Sequence, residues 1–107
     1  MHLVFPRNHP LSRRRNVSLA EIVAYRLILH ASSAAARRLI DSGFHENGIE
    51  IKNILEVGTC DAIVEFVRLG LGIGFVHDIC LAKGREKAIG SRDMSLKRGD
   101  HRRVPGL

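Results

Sequence analysis

The sequence predicts an α/β fold, with a small, mostly parallel sheet flanked by helices. Three apolar segments have the length of buried strands, and two amphipathic segments of helical period lie between them. The links between these segments are short, which is typical of parallel strands joined by right-handed helical crossovers. With 107 residues, the chain has room for one small domain.

The N-terminal part of the chain predicts a strand followed by a short helix. The apolar segment 3–5 is closed by Pro6, which suits the end of a strand. Ser18 and Glu21 have the spacing of a capping box, in which each side chain binds the backbone N–H of the other residue. This box predicts a helix over residues 19–24.

A buried strand over residues 25–29 and a longer helix are expected next. The helix is predicted to begin at Ser33 and to end at Asn47-Gly48, because glycine suits the left-handed position after a helix. Helical spacing puts Ala36, Leu39, Ile40 and Phe44 on its buried face, and Arg37, Arg38 and Asp41 on its outer side.

The same order of elements then repeats. We predict a strand over residues 51–57, an amphipathic helix over 61–69 and a third strand over 73–76. A short helix over 79–82 and a short strand over 87–89 complete the pattern.

The charge divides the chain into three regions. The net charge of +6 is the sum of +4 in residues 1–15, −3 in 16–82 and +5 in 83–107. We expect a hinge strand and basic loop at 1–15, a folded subdomain at 16–90, and a basic, disordered tail at 91–107, where no period fits.

This distribution argues against a nucleic-acid reader. Such a protein carries its basic residues on a structured face, often with aromatic side chains for stacking, whereas the folded part here is acidic. We therefore expect no specific DNA contact by this chain. The longest apolar run, residues 69–76, is too short for a membrane span, and the N-terminus lacks a signal peptide. A cytoplasmic protein without membrane contact is expected.

Polar residues follow the predicted strands at the points where ligands bind open parallel sheets. Ser32 and Ser33 follow the strand predicted over residues 25–29, Thr59 follows the strand over 51–57, and Val76 with His77 ends the strand over 73–76. Hydroxyls at helix starts suit a small polar or anionic ligand. The alternative is that Ser33 and Thr59 are simply N-caps.

No catalytic, metal or cofactor site is predicted. The glycine-rich segment 70–74 follows a helix and opens a strand, which is the reverse of a dinucleotide-binding turn. Cys60 and Cys80 form neither a disulfide framework nor the ligand spacing of a zinc site, so a reduced protein is expected. No carboxylate pair stands out for acid–base catalysis, and a nucleophilic Cys60 beside His77 is the weak enzymatic alternative.

Three separated blocks of the sequence resemble the LysR-type transcriptional regulators, in the order that this family has them. The blocks are His9-Pro10-Leu11-Ser12 with Val17-Ser18-Leu19-Ala20-Glu21-Ile22, Ala36-Arg37-Arg38-Leu39-Ile40-Asp41, and Leu55-Glu56-Val57 followed by Asp61-Ala62-Ile63-Val64-Glu65-Phe66-Val67-Arg68-Leu69-Gly70-Leu71-Gly72-Ile73-Gly74.

The resemblance implies one lobe of a periplasmic-binding-protein-like (type 2) effector-binding fold. Family members carry a winged helix-turn-helix, a linker helix and two lobes that hold a small metabolite between them. This chain matches only the second lobe and its hinge strand, without the helix-turn-helix. The family's cleft positions correspond to Ser32, Ser33, Thr59, Val76 and His77.

The implied function is that of an effector-binding subdomain that senses a small metabolite or anion and is truncated as a sensor. The partners implied are the effector, the missing lobe or a second copy of the chain. Three alternatives stay open: a non-functional remnant that only folds, a stand-alone small-molecule or subunit-interaction module, and a small enzyme.

Overall fold

The computed structural model describes residues 1–77 and 89–94, which form a five-stranded sheet with helices on both faces. The strands are β1 (His2–Pro6), β2 (Leu27–His30), β3 (Ile54–Val57), β4 (Ile73–Val76) and β5 (Ile89–Asp93). The helices are α1 (Leu19–Ile22), α2 (Ala35–Glu46) and α3 (Cys60–Arg68), with a 3₁₀ helix at Pro10–Arg13. The α/β class predicted from the sequence is confirmed.

The sheet has the strand order β3-β2-β4-β1-β5. β2 lies between β3 and β4 and is parallel to both. β1 lies between β4 and β5 and is antiparallel to both. The sheet is therefore mixed, and its parallel part is the repeated strand–helix unit that the periodicity predicts.

The strand order explains why helices cover both faces. The chain moves from β2 outward to β3 through α2, and then back across β2 to β4 through α3. Right-handed crossovers taken in opposite directions place their helices on opposite faces of a sheet. α2 and α3 accordingly pack against different apolar clusters.

Alternation along the strands supplies both clusters. In β2, Leu27 and Leu29 face the α2 side, while Ile28 faces α3. The larger cluster also contains α1 and the 3₁₀ helix; its buried residues are Leu3, Phe5, Leu11, Val17, Leu19, Ile22, Leu27, Leu29, Ile40, Phe44, Ile73, Phe75 and Met94. The smaller one, under α3, consists of Val4, Ile28, Ile63, Val64, Val67 and Val76.

The local signals at two helix ends are confirmed. Ser18 Oγ accepts a hydrogen bond from the Glu21 backbone N–H at 3.1 Å, and Glu21 Oε1 accepts one from the Ser18 N–H at 3.0 Å. At the far end of α2, Gly48 has a φ of 73°, a left-handed conformation that other residues rarely adopt.

The start and the faces of α2 differ from the prediction. The helix begins at Ala35 after a turn, so Ser33 lies outside it. Arg37, predicted to point outward, is buried, whereas Leu39, predicted to be buried, is 51% exposed. Arg37 lies on the same face of α2 as Ile40. Its long apolar stem packs on that face, and its guanidinium donates to hydrogen-bond acceptors that are described below.

The end of the described chain corrects a second prediction. β5 continues to Asp93, so the expected tail boundary at Gly90 is wrong for residues 91–94. The Met94 N–H donates to the Met1 carbonyl at 3.0 Å, and the Arg92 guanidinium donates to the carbonyls of Arg14 and Arg15 at 2.6 and 3.2 Å. The helix expected over 79–82 and the rest of the tail lie outside the described residues.

The packing of α3 depends on close approach to β4. A Cβ at Gly74 would lie 2.6 Å from Ile63 Cγ2 and 2.9 Å from the Ile28 carbonyl oxygen, so the helix would have to shift. Within the described ranges, no helix has the length and apolar character needed to cross a membrane.

We predict that Gly74→Ala lowers the free energy of unfolding by about 1–3 kcal/mol, because overpacking forces backbone movement. Gly58→Ala is the matched control, since a Cβ there meets nothing within 4 Å. Chemical denaturation of both variants measures the difference. Equal stabilities would contradict the close packing of α3 on β4.

Candidate functional site

The parallel register brings the ends of three strands to one edge of the sheet. His30, the last residue of β2, is paired with Val57, the last residue of β3, so these strands end level with each other. β4 pairs with β2 through Ile28 and Gly74 and also ends at this edge. We call the residues that follow these strand ends (His30–Ala34, Val57–Cys60 and Val76–His77) the carboxyl edge.

Thr59 caps α3 as the sequence predicts. Its hydroxyl oxygen accepts a hydrogen bond from the Ala62 N–H at 3.1 Å, and the side chain is exposed. The oxygen is used as an acceptor, and the hydroxyl keeps its O–H proton for donation to a ligand. The first turn of α3 also contains Asp61, whose carboxylate lies near the positive end of the helix dipole.

Ser32 and Ser33 lie in the exposed turn before α2, and neither caps the helix. The capping position is Ala34, which offers no side-chain acceptor, so the expectation that Ser33 is the cap is wrong. Because of this turn, α2 begins at Ala35, two residues after Ser33. The Ser33 carbonyl accepts a hydrogen bond from Arg38 Nη1 at 2.9 Å. The first turn of α2 contains no acidic residue and receives no side-chain cap.

Val76 and His77 occupy the third part of the carboxyl edge in different ways. The Val76 side chain is fully buried in the cluster under α3, which leaves only its backbone for a ligand. His77 follows it and is exposed. Of the five predicted site residues, four therefore present side chains at the surface: Ser32, Ser33, Thr59 and His77.

Arg37 holds the carboxyl edge together, and the sequence interpretation missed it. Its Nη1 donates to the His30 carbonyl at 3.0 Å and to Glu56 Oε2 at 2.8 Å, while its Nε donates to Asp41 Oδ1 at 2.9 Å. The side chain is 8% exposed, against 46% for Asp41 and 49% for Glu56. Burial opposes the charge of Arg37, but the bonds to Glu56 and Asp41 outweigh it and raise the pKa of the guanidinium.

A sequence signal for Arg37 does exist. The residue stands three positions before Ile40 and seven before Phe44, which are both buried, and four before Asp41. An arginine on an apolar helical line with an acid at i+4 is a candidate for a buried, paired guanidinium.

His30 is a second residue that the sequence interpretation did not assign to the site. Its Nδ1 is buried without a hydrogen-bond partner. Burial lowers the pKa of the imidazole, and repulsion from His77 lowers it further. The two histidines therefore interact across the ends of β2 and β4.

A groove of about 280 Å³ lies elsewhere, between α2 and the segment that leads into β3. None of the predicted site residues lines it; its lining residues are Arg37, Asp41, Phe44, His45, Ile49, Glu50, Ile51 and Ile54. This groove and the carboxyl edge are therefore separate surfaces of the described residues.

The cysteine chemistry differs from expectation. The Cys60 sulfur is disulfide-bonded, which contradicts the reduced thiol that we expected and leaves no free thiolate for a nucleophile. Across residues 1–77 and 89–94, no three His, Cys, Asp or Glu side chains are grouped to hold a metal ion.

The family is shown by comparison with known proteins. The model of the LysR substrate binding domain matches residues 1–95. The chain belongs to this family. Among curated relatives, the HTH-type transcriptional regulator CysB of Burkholderia cenocepacia is 34% identical over 86 residues, which are 80% of this chain and 28% of CysB.

Two solved structures have the same fold. The cofactor-binding domain of the Cbl transcriptional regulator matches 86% of this chain and 40% of that chain, with a TM-score of 0.77 and 29% identity. The effector-binding domain of QuiR in complex with shikimate matches 96% of this chain and 48% of that chain, with a TM-score of 0.75 and 25% identity. The chain thus spans under a third of CysB and under half of either solved domain.

We predict that Arg37→Ala lowers the free energy of unfolding by about 2 kcal/mol, because it removes charge-assisted hydrogen bonds and buried packing. Arg38→Ala, one residue along and exposed, removes a single bond to the Ser33 carbonyl and is expected to change stability little. Urea denaturation compares the two. Equal losses would contradict the bridging role of Arg37.

Proposed function

We propose that this chain is an effector-binding subdomain of a LysR-type transcriptional regulator, which takes a small anionic metabolite at its carboxyl edge in the cytoplasm. One observation carries the proposal. In a chain of the LysR substrate-binding family, the parallel register brings the ends of β2, β3 and β4 and the starts of α2 and α3 to one edge.

The electrostatics of the two helix starts favour the α2 side for the negative charge. α2 presents N–H groups with no side-chain cap and no acid in its first turn, whereas α3 has both Thr59 and Asp61 there. An anion is stabilised by unpaired N–H groups and by the positive end of the helix dipole. We therefore propose that the charged part of the effector lies above Ser32 and Ser33, with Thr59 donating from the side.

The solved relatives support a carboxylate as the charged group. QuiR, 25% identical to this chain, is bound to shikimate in its structure. Shikimate combines one carboxylate with several hydroxyls, and the carboxyl edge offers matching hydroxyl donors and helix N–H groups. We propose a small organic acid or an inorganic anion as the class of effector.

The proposed partners follow from the share of the solved domains that this chain covers, which is under half. A surface that forms one wall of a cleft needs a second wall, and the proposed partner is another lobe of the same fold or a second copy of the chain. DNA is not a proposed partner, because residues 16–82 carry a net charge of −3 and direct base reading needs donors presented on a groove-fitting element. The proposed role is sensing and not catalysis.

Substitutions of the hydroxyls test the site. We predict that Ser32→Ala weakens binding of shikimate or sulfate by about 1–2 kcal/mol and leaves the melting temperature unchanged, because Ser32 caps nothing. Thr59→Ala should weaken binding similarly and also cost about 1 kcal/mol of stability, whereas Thr59→Ser keeps both functions.

Isothermal titration calorimetry and thermal melting of the full chain provide the measurements. Ser42→Ala is the matched control, because Ser42 is an exposed serine on α2 that bonds to Glu46, away from the carboxyl edge. Parent-like binding by both Ser32→Ala and Thr59→Ala would show that the hydroxyls are only structural. Absence of binding by the parent to any small anion would instead support a non-functional remnant.

A further inference from the structure

The loop after the 3₁₀ helix presents three consecutive arginines at the surface. It connects two buried apolar residues, Leu11 and Val17. We call residues 12–16 the arginine loop, because residues 13–15 are all arginines and all exposed. The loop contacts β5, the outermost strand on the side of the sheet opposite β3. It is therefore a different surface from the carboxyl edge, which lies at the ends of β2, β3 and β4.

Hydrogen bonds at both ends fix the backbone of the arginine loop. At its start, His9 caps the 3₁₀ helix through its side chain, and the Ser12 hydroxyl donates to the His9 carbonyl at 2.7 Å. At its end, the Arg92 guanidinium reaches over from β5 and donates to the carbonyls of Arg14 and Arg15. The arginines are thus presented by a fixed backbone.

Within the described residues, one carboxylate pairs with the side chains of this loop. Glu21 Oε2 pairs with Arg14 Nη1 at 2.5 Å, while Glu21 Oε1 accepts from Ser18 in the capping box. The side chains of Arg13 and Arg15 have no hydrogen bond or ion pair in residues 1–77 and 89–94. Two exposed guanidinium groups are therefore available to a partner.

Arg92 adds a fourth positive charge beside the loop. Its guanidinium donates to backbone carbonyls, which carry no formal charge, and its Nε is buried without an acceptor among the described residues. Burial lowers the pKa of this guanidinium, but an arginine keeps its charge in a protein. Four guanidiniums and one carboxylate give this surface a net charge of +3.

We propose that the arginine loop is a docking surface for an acidic segment of a partner protein, whose carboxylates pair with Arg13 and Arg15. Like charges on a fixed backbone repel each other, and an acidic partner removes this repulsion. A guanidinium also matches the shape of a carboxylate and binds it through two parallel hydrogen bonds. The inference concerns a second surface and does not depend on effector binding at the carboxyl edge.

The shape and composition of the loop favour a protein partner over a nucleic acid. The loop follows a short 3₁₀ helix and offers neither an α-helix nor a two-stranded ribbon that could enter the major groove of DNA. Residues 12–16 contain no aromatic side chain to stack on a base. A short row of exposed arginines is sufficient for an acidic protein segment, because each carboxylate needs one guanidinium.

Fluorescence anisotropy of a labelled oligo-glutamate peptide, titrated with the full chain, tests this surface. We expect Arg13→Glu/Arg15→Glu to weaken peptide binding by about tenfold or more, because repulsion replaces attraction. The matched control is Arg38→Glu/Lys52→Glu, which makes the same change in net charge at two exposed residues outside the loop. The control should bind within about twofold of the parent, because salt screens distant charges. Circular dichroism verifies that both variants are folded.

A charge-preserving variant and a competitor decide the kind of contact. Arg13→Lys/Arg15→Lys keeps the charge but removes the two-bond pairing, so we expect a smaller loss of about two- to fivefold. A DNA duplex of mixed sequence should compete with the peptide only weakly at physiological salt.

Equal losses in the loop variant and the control would overturn the proposal, because binding would then follow net charge alone. Absence of peptide binding by the parent at low salt would overturn it as well. Stronger binding of DNA than of the peptide, lost in the loop variant, would contradict the choice of a protein partner. None of these outcomes changes the expectation for small anions at the carboxyl edge.

Discussion

The buried guanidinium of Arg37 joins three of the elements that build the carboxyl edge. It originates in α2, donates to the carbonyl at the end of β2, and reaches the Glu56 carboxylate on β3. Asp41 accepts a third hydrogen bond. The Arg37 side chain, which is 8% exposed, is thus paired with two half-exposed carboxylates. Removing a charge from water in this way is tolerated because two carboxylates and a backbone carbonyl accept from Nε and Nη1. The position of α2, and with it the turn at Ser32 and Ser33, follows from this bridge.

Much of the local structure was predictable because its causes lie within a few residues. The capping box of Ser18 and Glu21, the glycine after α2, the Thr59 cap and the bounds of β4 were all predicted and are present. Each depends on a short-range hydrogen bond or on an uninterrupted apolar run. The carboxyl edge itself was also predictable, since parallel strands joined by helices end at one edge.

The features that were missed depend on contacts between distant segments. Of β5, only Ile89 was predicted as strand; residues 90–93 are strand because the neighbouring β1 pairs with them, and no period within them shows this. Arg37 is buried because Glu56 and the end of β2 are nearby, which helical spacing alone does not reveal. The start of α2 was placed too early because a serine before a helix is a common cap, whereas here the turn continues to Ala34.

The central claim is that the carboxyl edge of this subdomain binds small anions. The most direct measurement is a titration of the ¹⁵N-labelled chain with shikimate, followed by amide and imidazole chemical shifts. Saturable shifts are expected to concentrate at residues 30–36, 57–62 and 76–77, while β1 and the 3₁₀ helix stay unchanged. Shifts confined to the groove beside His45 and Glu50, or shifts spread evenly over the chain without saturation, would contradict it.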